Sequence, residues 1–219
     1  MQRMPEAEIM DSPEQALAYA RADFSEPHEH FVELFRQRFT EAPAGTVLDL
    51  GCGPGDICRR FARAFPDCRI HAVDASPAML ELARNDTFAA GMQARIEFFA
   101  GYLPQARLPG PSYEVILSNS LLHHLRDPRT LWDSIRLFGA PGTRVLVMDL
   151  LRPDSTRQAQ ELVNTYAAGE PELLRKDFYN SLCAAYTPAE VSAQLASQGL
   201  DGLALETVSN RHFIVWGRL

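Results

Sequence analysis

The densest chemistry in this chain lies in eight residues: Asp49-Leu50-Gly51-Cys52-Gly53-Pro54-Gly55-Asp56 sets three glycines between two acids, directly after a short apolar run. Glycine lets a backbone take positive φ and approach a ligand closely, because no Cβ stands in the way. A helix starting just behind the turn would face the same ligand with its first unpaired N–H groups. A dinucleotide-binding turn needs G-x-G-x-x-G or A, whereas position 56 is Asp. An acid at that point repels a pyrophosphate and suits a cation, as does Asp49. These residues favour a ligand with ammonium and sulfonium charges, S-adenosylmethionine, over a nicotinamide dinucleotide.

A second acid, Asp74, closes the next apolar run at about the interval where such folds place a carboxylate against ribose hydroxyls, and one carboxylate can accept from two hydroxyls at once. Its competing role is to cap a turn with Ser76. His123 and His124 follow the run Tyr113 to Leu117 and titrate near neutrality, which makes either a candidate catalytic general base if the acceptor is a hydroxyl or an acidic carbon. Packing is the competing role for both. Asn119 is placed to orient the amino-acid end of a cofactor or the substrate. Cys52, Cys58, Cys68 and Cys183 form no CxxC pair and no His stands at ligand spacing from them, so neither a metal site nor a disulfide framework is expected.

The elements that must position these groups alternate. Thr46 to Leu50, Arg69 to Val73, Ile96 to Phe99, Tyr113 to Leu117 and Arg144 to Leu150 read as strands. Helical patterns separate several of them: Ile57 to Phe65, the stretch opened by Ser76 and Pro77, and Pro128 to Phe138 with Asp127 as its cap. Alternation of this kind implies an α/β fold, a Rossmann-like, doubly wound and mostly parallel sheet covered by helices on both faces. Leu203 to Val208 and His212 to Trp216, joined by Ser209-Asn-Arg211, read as a C-terminal hairpin that adds an antiparallel element at one edge. Thr187-Pro-Ala-Glu190 is a capping box.

Two segments lie outside that alternation. Helical spacing of Phe31, Leu34, Phe35 and Phe39 makes residues 12–42 a helical cover, and residues 152–186 are too long for a simple connection and read as an inserted helical lid. Loops over the carboxyl ends of a sheet carry specificity, so the lid's Tyr166, Arg175, Phe178, Tyr179 and Tyr186 are candidates for substrate contact, a lining suited to a flat or anionic small molecule. At helical spacing the same aromatics also serve as core. Nothing divides the chain, so one domain over residues 1–219 is expected.

Net charge is −7, which disfavours a nucleic-acid partner. Hydrophobic residues make up 46% and charged residues 22%, ordinary for a folded chain. The first ten residues, with Pro5, Glu6 and Glu8, lack a signal pattern, and no apolar run is long enough to span a bilayer, so no membrane partner and a cytoplasmic location are expected. Oligomeric state leaves no trace in the sequence.

Val47-Leu-Asp-Leu-Gly-Cys-Gly-Pro-Gly55, Ala72-Val-Asp-Ala-Ser-Pro-Ala-Met79, Leu121-Leu-His-His-Leu-Arg-Asp-Pro128 and the Pro141-Gly142 turn resemble the signatures of class I S-adenosylmethionine-dependent methyltransferases, especially the small-molecule branch of ubiquinone and menaquinone methylases. The resemblance covers about residues 46–150. It implies that Asp49, Gly51 and Gly53, with Cys52 between them, contact the methionine part of the cofactor, that Asp74 holds the ribose, and that Ala75 and Met79 lie beside the adenine. The family's usual adenine-binding acid is replaced here by Ala100-Gly101-Tyr102, so Tyr102 or the backbone is expected to take its place. An N-terminal helix commonly closes the cofactor in this family, which nominates Tyr19 and Phe24. The implied reaction is methyl transfer to a small molecule on O, N or C, with S-adenosylhomocysteine as product. The rival readings are a cofactor-binding protein without methyl transfer, or with a modified cofactor, and an NAD-dependent oxidoreductase. Ser118-Asn-Ser120 lacks the Asn-Pro-Pro-Tyr pattern of base-amine methylation.

Overall fold

A computed structural model describes residues 1–6 and 12–219; Glu8 and Met10 of the N-terminal reading lie outside them. Seven strands form one sheet in the order β3-β2-β1-β4-β5-β7-β6. They are β1 (Thr46–Leu50), β2 (Arg69–Asp74), β3 (Ile96–Ala100), β4 (Val115–Asn119), β5 (Arg144–Leu150), β6 (Ala204–Thr207) and β7 (His212–Arg218). The first five run parallel, and β7 pairs antiparallel with both β5 and β6. Strand order reverses between β1 and β4, and the carboxyl ends at such a switch point open a crevice between diverging connections.

Helices cover both faces. On one, α2 (Ser25–Arg38), α3 (Asp56–Ala64) and α4 (Pro77–Ala89) pack Phe31, Phe35, Phe61 and Leu80 against Val47, Ile70 and Leu117. On the other, α5 (Arg129–Phe138) and α8 (Pro188–Ser197) bring Trp132, Ile135, Val191 and Leu195 against Leu48, Ile116 and Val145. A sheet buried on both sides needs near-continuous apolar strands, and β5 is buried along all seven residues. Its two charged residues, Arg144 and Asp149, are the exceptions within that run.

Local chemistry sets the helix starts. Ser76 accepts a hydrogen bond from the Met79 amide with Pro77 at the first helical position, and Thr187 with Glu190 forms a reciprocal capping box. Pro128 is already in helical conformation before α5, and the Asp127 carboxylate accepts from the Arg129 amide, one of the helix's free N-terminal donors, as well as from the Arg129 guanidinium. The N-terminal cover is two helices, α1 (Pro13–Arg21) and α2, broken where Asp23 accepts from the Ser25 amide at 3.0 Å. Between β5 and α8 stand α6 (Thr156–Tyr166) and α7 (Glu172–Ala184), whose Val163 and Leu182 pack on Leu150 in a third apolar cluster. All four cysteines are free and buried.

Candidate active site

The turn after β1 is a cradle of main chain. Gly51 takes φ 73° and Gly53 φ 51°. A Cβ on Gly51 would lie 2.7 Å from a Leu121 methyl, while one on Gly53 would meet nothing within 4 Å, because that position opens on a cavity. The Gly51 and Cys52 amides donate to the Val73 carbonyl at 2.9 and 3.0 Å, tying the turn to β2. Asp74, at the end of β2, reaches across with one oxygen accepting from the Gly53 amide and the other from the Ser76 amide, both at 2.8 Å. A carboxylate has about four acceptor sites, so these two bonds leave room for a further donor. The turn-capping role and a position on the cavity wall thus belong to the same side chain.

Asp49 is buried under the cradle. Its carboxylate accepts a hydrogen bond from the Cys58 thiol at 2.9 Å, and burial pushes its pKa up to about 7. Such a carboxylate ionises fully when a cation arrives to compensate it. Nearby, Asn119 Oδ1 is buried without a hydrogen-bond partner among the described residues, although it is a strong acceptor. Asp56 departs from expectation. It is not a free charge for a ligand, because His28 Nδ1 and Arg60 Nε each lie 2.7 Å from one of its oxygens; although burial works against its charge, they hold it well below the carboxylate range. Its work is to fasten the cover helix α2 to α3.

Two cavities meet above the sheet. The first, about 210 Å3, is lined by Asp49, Gly51, Cys52, Gly53, Asp74, Ala75, Met79, Gly101, Tyr102 and Asn119, so every cofactor residue expected from the sequence lies on it, Tyr19 included. Tyr102 is 63% exposed at its rim. The second, about 240 Å3, is enclosed by α2, α7, β7 and the loops around them. Tyr19, His28, Asn119, Ser120 and His124 belong to both walls. Tyr19 stacks against Phe24 with ring centroids 4.7 Å apart, and Phe24 lines the second cavity. At the junction Ser120 takes φ 57°, a conformation rare outside glycine and typical of functional turns.

The lid residues divide. Tyr166 and Phe178 line the second cavity; Arg175, Tyr179 and Tyr186 do not. The reason is helical phase: α7 turns Leu174, Asp177, Phe178 and Ser181 toward the cavity, which places residues 175 and 179 on another face. Tyr179 packs on the α6–α7 cluster, Arg175 reaches Asn164 at 3.3 Å, and the Tyr186 hydroxyl donates to the Leu125 carbonyl. Arg211, which sequence reasoning passed over, stacks 3.4 Å from the Tyr166 ring centre and pairs with Glu26, joining lid to cover.

His123 and His124 sit on a short 3-10 turn, Leu122–His124, after β4. His123 Nδ1 lies 2.6 Å from Asp149 Oδ1, and the other Asp149 oxygen accepts from the Leu122 amide at 2.7 Å. Burial opposes both charges, but mutual attraction prevails, raising the His123 pKa and lowering that of Asp149. On its far side His123 Nε2 is 3.6 Å from Glu6 Oε1, which is also 3.3 Å from His124 Nδ1. Asp149 and Glu6 escaped the sequence reading. A lone acid inside the apolar run of β5 was the available signal for the first; Glu6 reaches the site by tertiary packing and had none.

Known proteins resemble this chain in sequence and fold. Residues 47–142, from β1 to the approach of β5, match the family model of a methyltransferase domain. An uncharacterized methyltransferase of Mycobacterium bovis is 29% identical over 157 residues, 71% of this chain and 77% of its own. In fold, an S-adenosylmethionine-dependent methyltransferase from Aquifex aeolicus superimposes with a TM-score of 0.68 over 94% of this chain and 97% of its own, at 17% identity. So does a plantazolicin methyltransferase solved with S-adenosylhomocysteine, with a TM-score of 0.68 over 94% of this chain and 90% of its own, at 13% identity. These likenesses support the class and not the narrower resemblance to quinone methylases. No helix among the described residues is long and apolar enough to cross a membrane. With its strand order, glycine cradle and paired acids, the chain has the fold of S-adenosylmethionine-dependent methyltransferases and carries a methyltransferase domain over residues 47–142, and these likenesses support methyl transfer from that cofactor to an acceptor.

Proposed function

We propose that the two cavities divide the reaction, the first holding S-adenosylmethionine and the second a small-molecule acceptor, with the histidine pair activating the acceptor beside their junction. The observation that carries this reading is the shared wall of Tyr19, His28, Asn119, Ser120 and His124. Asp49 and Asn119 Oδ1 accept from the cofactor's ammonium, the main chain of Gly51, Cys52 and Gly53 supports its methionine part, and Asp74 accepts from the ribose hydroxyls. Ala75, Met79, Gly101 and Tyr102 surround the adenine, and Tyr19 closes the site. The cofactor supplies a methyl group already activated on a sulfonium, so the protein's share is alignment and exclusion of water.

The acceptor lies between Phe24, Tyr166, Leu174 and Phe178, apolar walls that suit a small organic molecule. A net charge of −7 and a cavity of only about 240 Å3 argue against a nucleic-acid strand. The pair His123 and His124 stands at the end of this cavity, where it loosens the proton of the acceptor's nucleophilic atom. A panel of hydroxyl, carboxyl and amine metabolites, assayed for S-adenosylhomocysteine formation, finds the acceptor. On that acceptor His124→Gln lowers kcat by about 10²-fold or more while cofactor affinity stays within about twofold. Unchanged kcat would remove the pair from the chemistry.

A further inference from the structure

Glu6, His123 and His124 are the one group among the described residues whose ligand atoms converge as a metal site requires, all within 4.8 Å of one another. The contacts from Glu6 Oε1, 3.6 Å to His123 Nε2 and 3.3 Å to His124 Nδ1, resemble the edges of a coordination polyhedron. Ligands at 2.0–2.2 Å in a tetrahedron around zinc stand about 3.3 Å apart. Two histidines and a glutamate are also one of the donor sets of catalytic zinc, which leaves a fourth position open.

The surroundings fix each ligand. Asp149 takes the Nδ1 side of His123 at 2.6 Å and so directs Nε2 toward Glu6, the carboxylate–histidine arrangement that sets tautomer and orientation in metal sites. The 3-10 turn holds His124 through its amide, which donates to the Leu121 carbonyl at 3.0 Å. Glu6 is held by the Ser181 hydroxyl at 3.0 Å, and its strand of chain is strapped down by Arg3, whose guanidinium donates to the His123, Leu125 and Ala184 carbonyls. Three carboxylates, Glu6, Asp149 and Asp177, act on this spot beside one guanidinium, that of Arg3. Both histidines line the second cavity, so the open position faces it.

We propose that Glu6, His123 and His124 bind one divalent cation of the zinc type, with its fourth position open to an oxygen of the molecule in the second cavity. Only the last clause rests on reading that cavity as the acceptor site. A cation there acidifies a coordinated hydroxyl or orients a carboxylate, so the histidine pair acts on the acceptor through the ion and the favoured acceptor atom is oxygen.

Metal-free full-length protein titrated with Zn2+, and separately with Co2+ followed by its visible absorption, tests this directly. The expected result is one saturable equivalent with a tetrahedral Co2+ spectrum, and at least tenfold weaker binding in Glu6→Gln and in His124→Gln, each checked for folding by circular dichroism. Absence of saturable binding, or affinity unchanged in whichever variant folds, overturns the proposal. S-adenosylhomocysteine affinity, measured in the same preparations, separates the two readings. Cofactor binding without metal binding sinks the cation and leaves the first cavity's assignment standing. Metal binding without cofactor binding supports the cation and sinks that assignment.

Discussion

The two cavities share a wall and are built from different material. The first is main chain and acids at the ends of two adjacent parallel strands, Gly51 to Gly55 after β1 and Asp74 at the end of β2. The second is side chains contributed by α2, the histidine turn, α7 and β7, with Glu6 behind them. A ligand cradle made of backbone is specified by a short contiguous stretch, since the required φ values and the amide directions are local. A cavity made of side chains exists only once separate elements have packed. It is therefore the part in which the same fold accommodates different acceptors.

The largest effect of a single change falls on the cradle. Asp74→Ala removes the carboxylate that braces the Gly53 and Ser76 amides and faces the cavity. Cofactor affinity should fall by about 1–3 kcal/mol in calorimetric titration, with the fold retained. Unchanged affinity would remove Asp74 from the site and erase the distinction between the two cavities.

A smaller effect follows from Asp49. Its folded pKa is raised to about 7, so below pH 7 the uncomplexed protein favours the neutral form, and the stability this contributes is fully present below the ordinary carboxylate pKa and is lost as pH rises through 7. A cationic ligand reverses that preference, so binding below pH 7 must expel a proton. Cofactor affinity should therefore rise about tenfold between pH 6 and pH 8 beyond the ligand's own titration, and Asp49→Asn should abolish that rise. Parallel pH profiles in the two proteins would break the assignment.

The smallest effects sharpen the boundary of the second cavity. Phe178→Ala should raise the acceptor KM by roughly fivefold, corresponding to about 1 kcal/mol of lost apolar contact, without changing cofactor affinity. Arg175→Ala, one helical face away, should leave KM within about twofold. Equal effects from the two would show that the phase of α7 does not decide what the acceptor touches.

The same division explains what could be read without a structure. Strand, turn, helix and strand between Thr46 and Asp74 each carry their own local signal, and every cofactor residue inferred from them faces the first cavity. Asp56 was legible as an acid at a helix start but not as a paired one, because His28 comes from α2 and only packing brings it within 2.7 Å. The lid was legible as helical; its phase was not, since aromatic residues at 166, 178, 179 and 186 satisfy a core and a cavity equally well. Glu6 and His123 lie far apart in the chain and on elements with no shared pattern. A search for ligand spacing confined to neighbouring residues, as the cysteines invited, passes over such a constellation.

The most direct test is a crystal structure with S-adenosylhomocysteine bound. The account requires the ribose oxygens within hydrogen-bonding distance of Asp74, the amino group beside Asp49 and Asn119, and the sulfur turned toward the second cavity. Ribose placed away from Asp74, or a sulfur facing away from the wall formed by Asn119, Ser120 and His124, would contradict it.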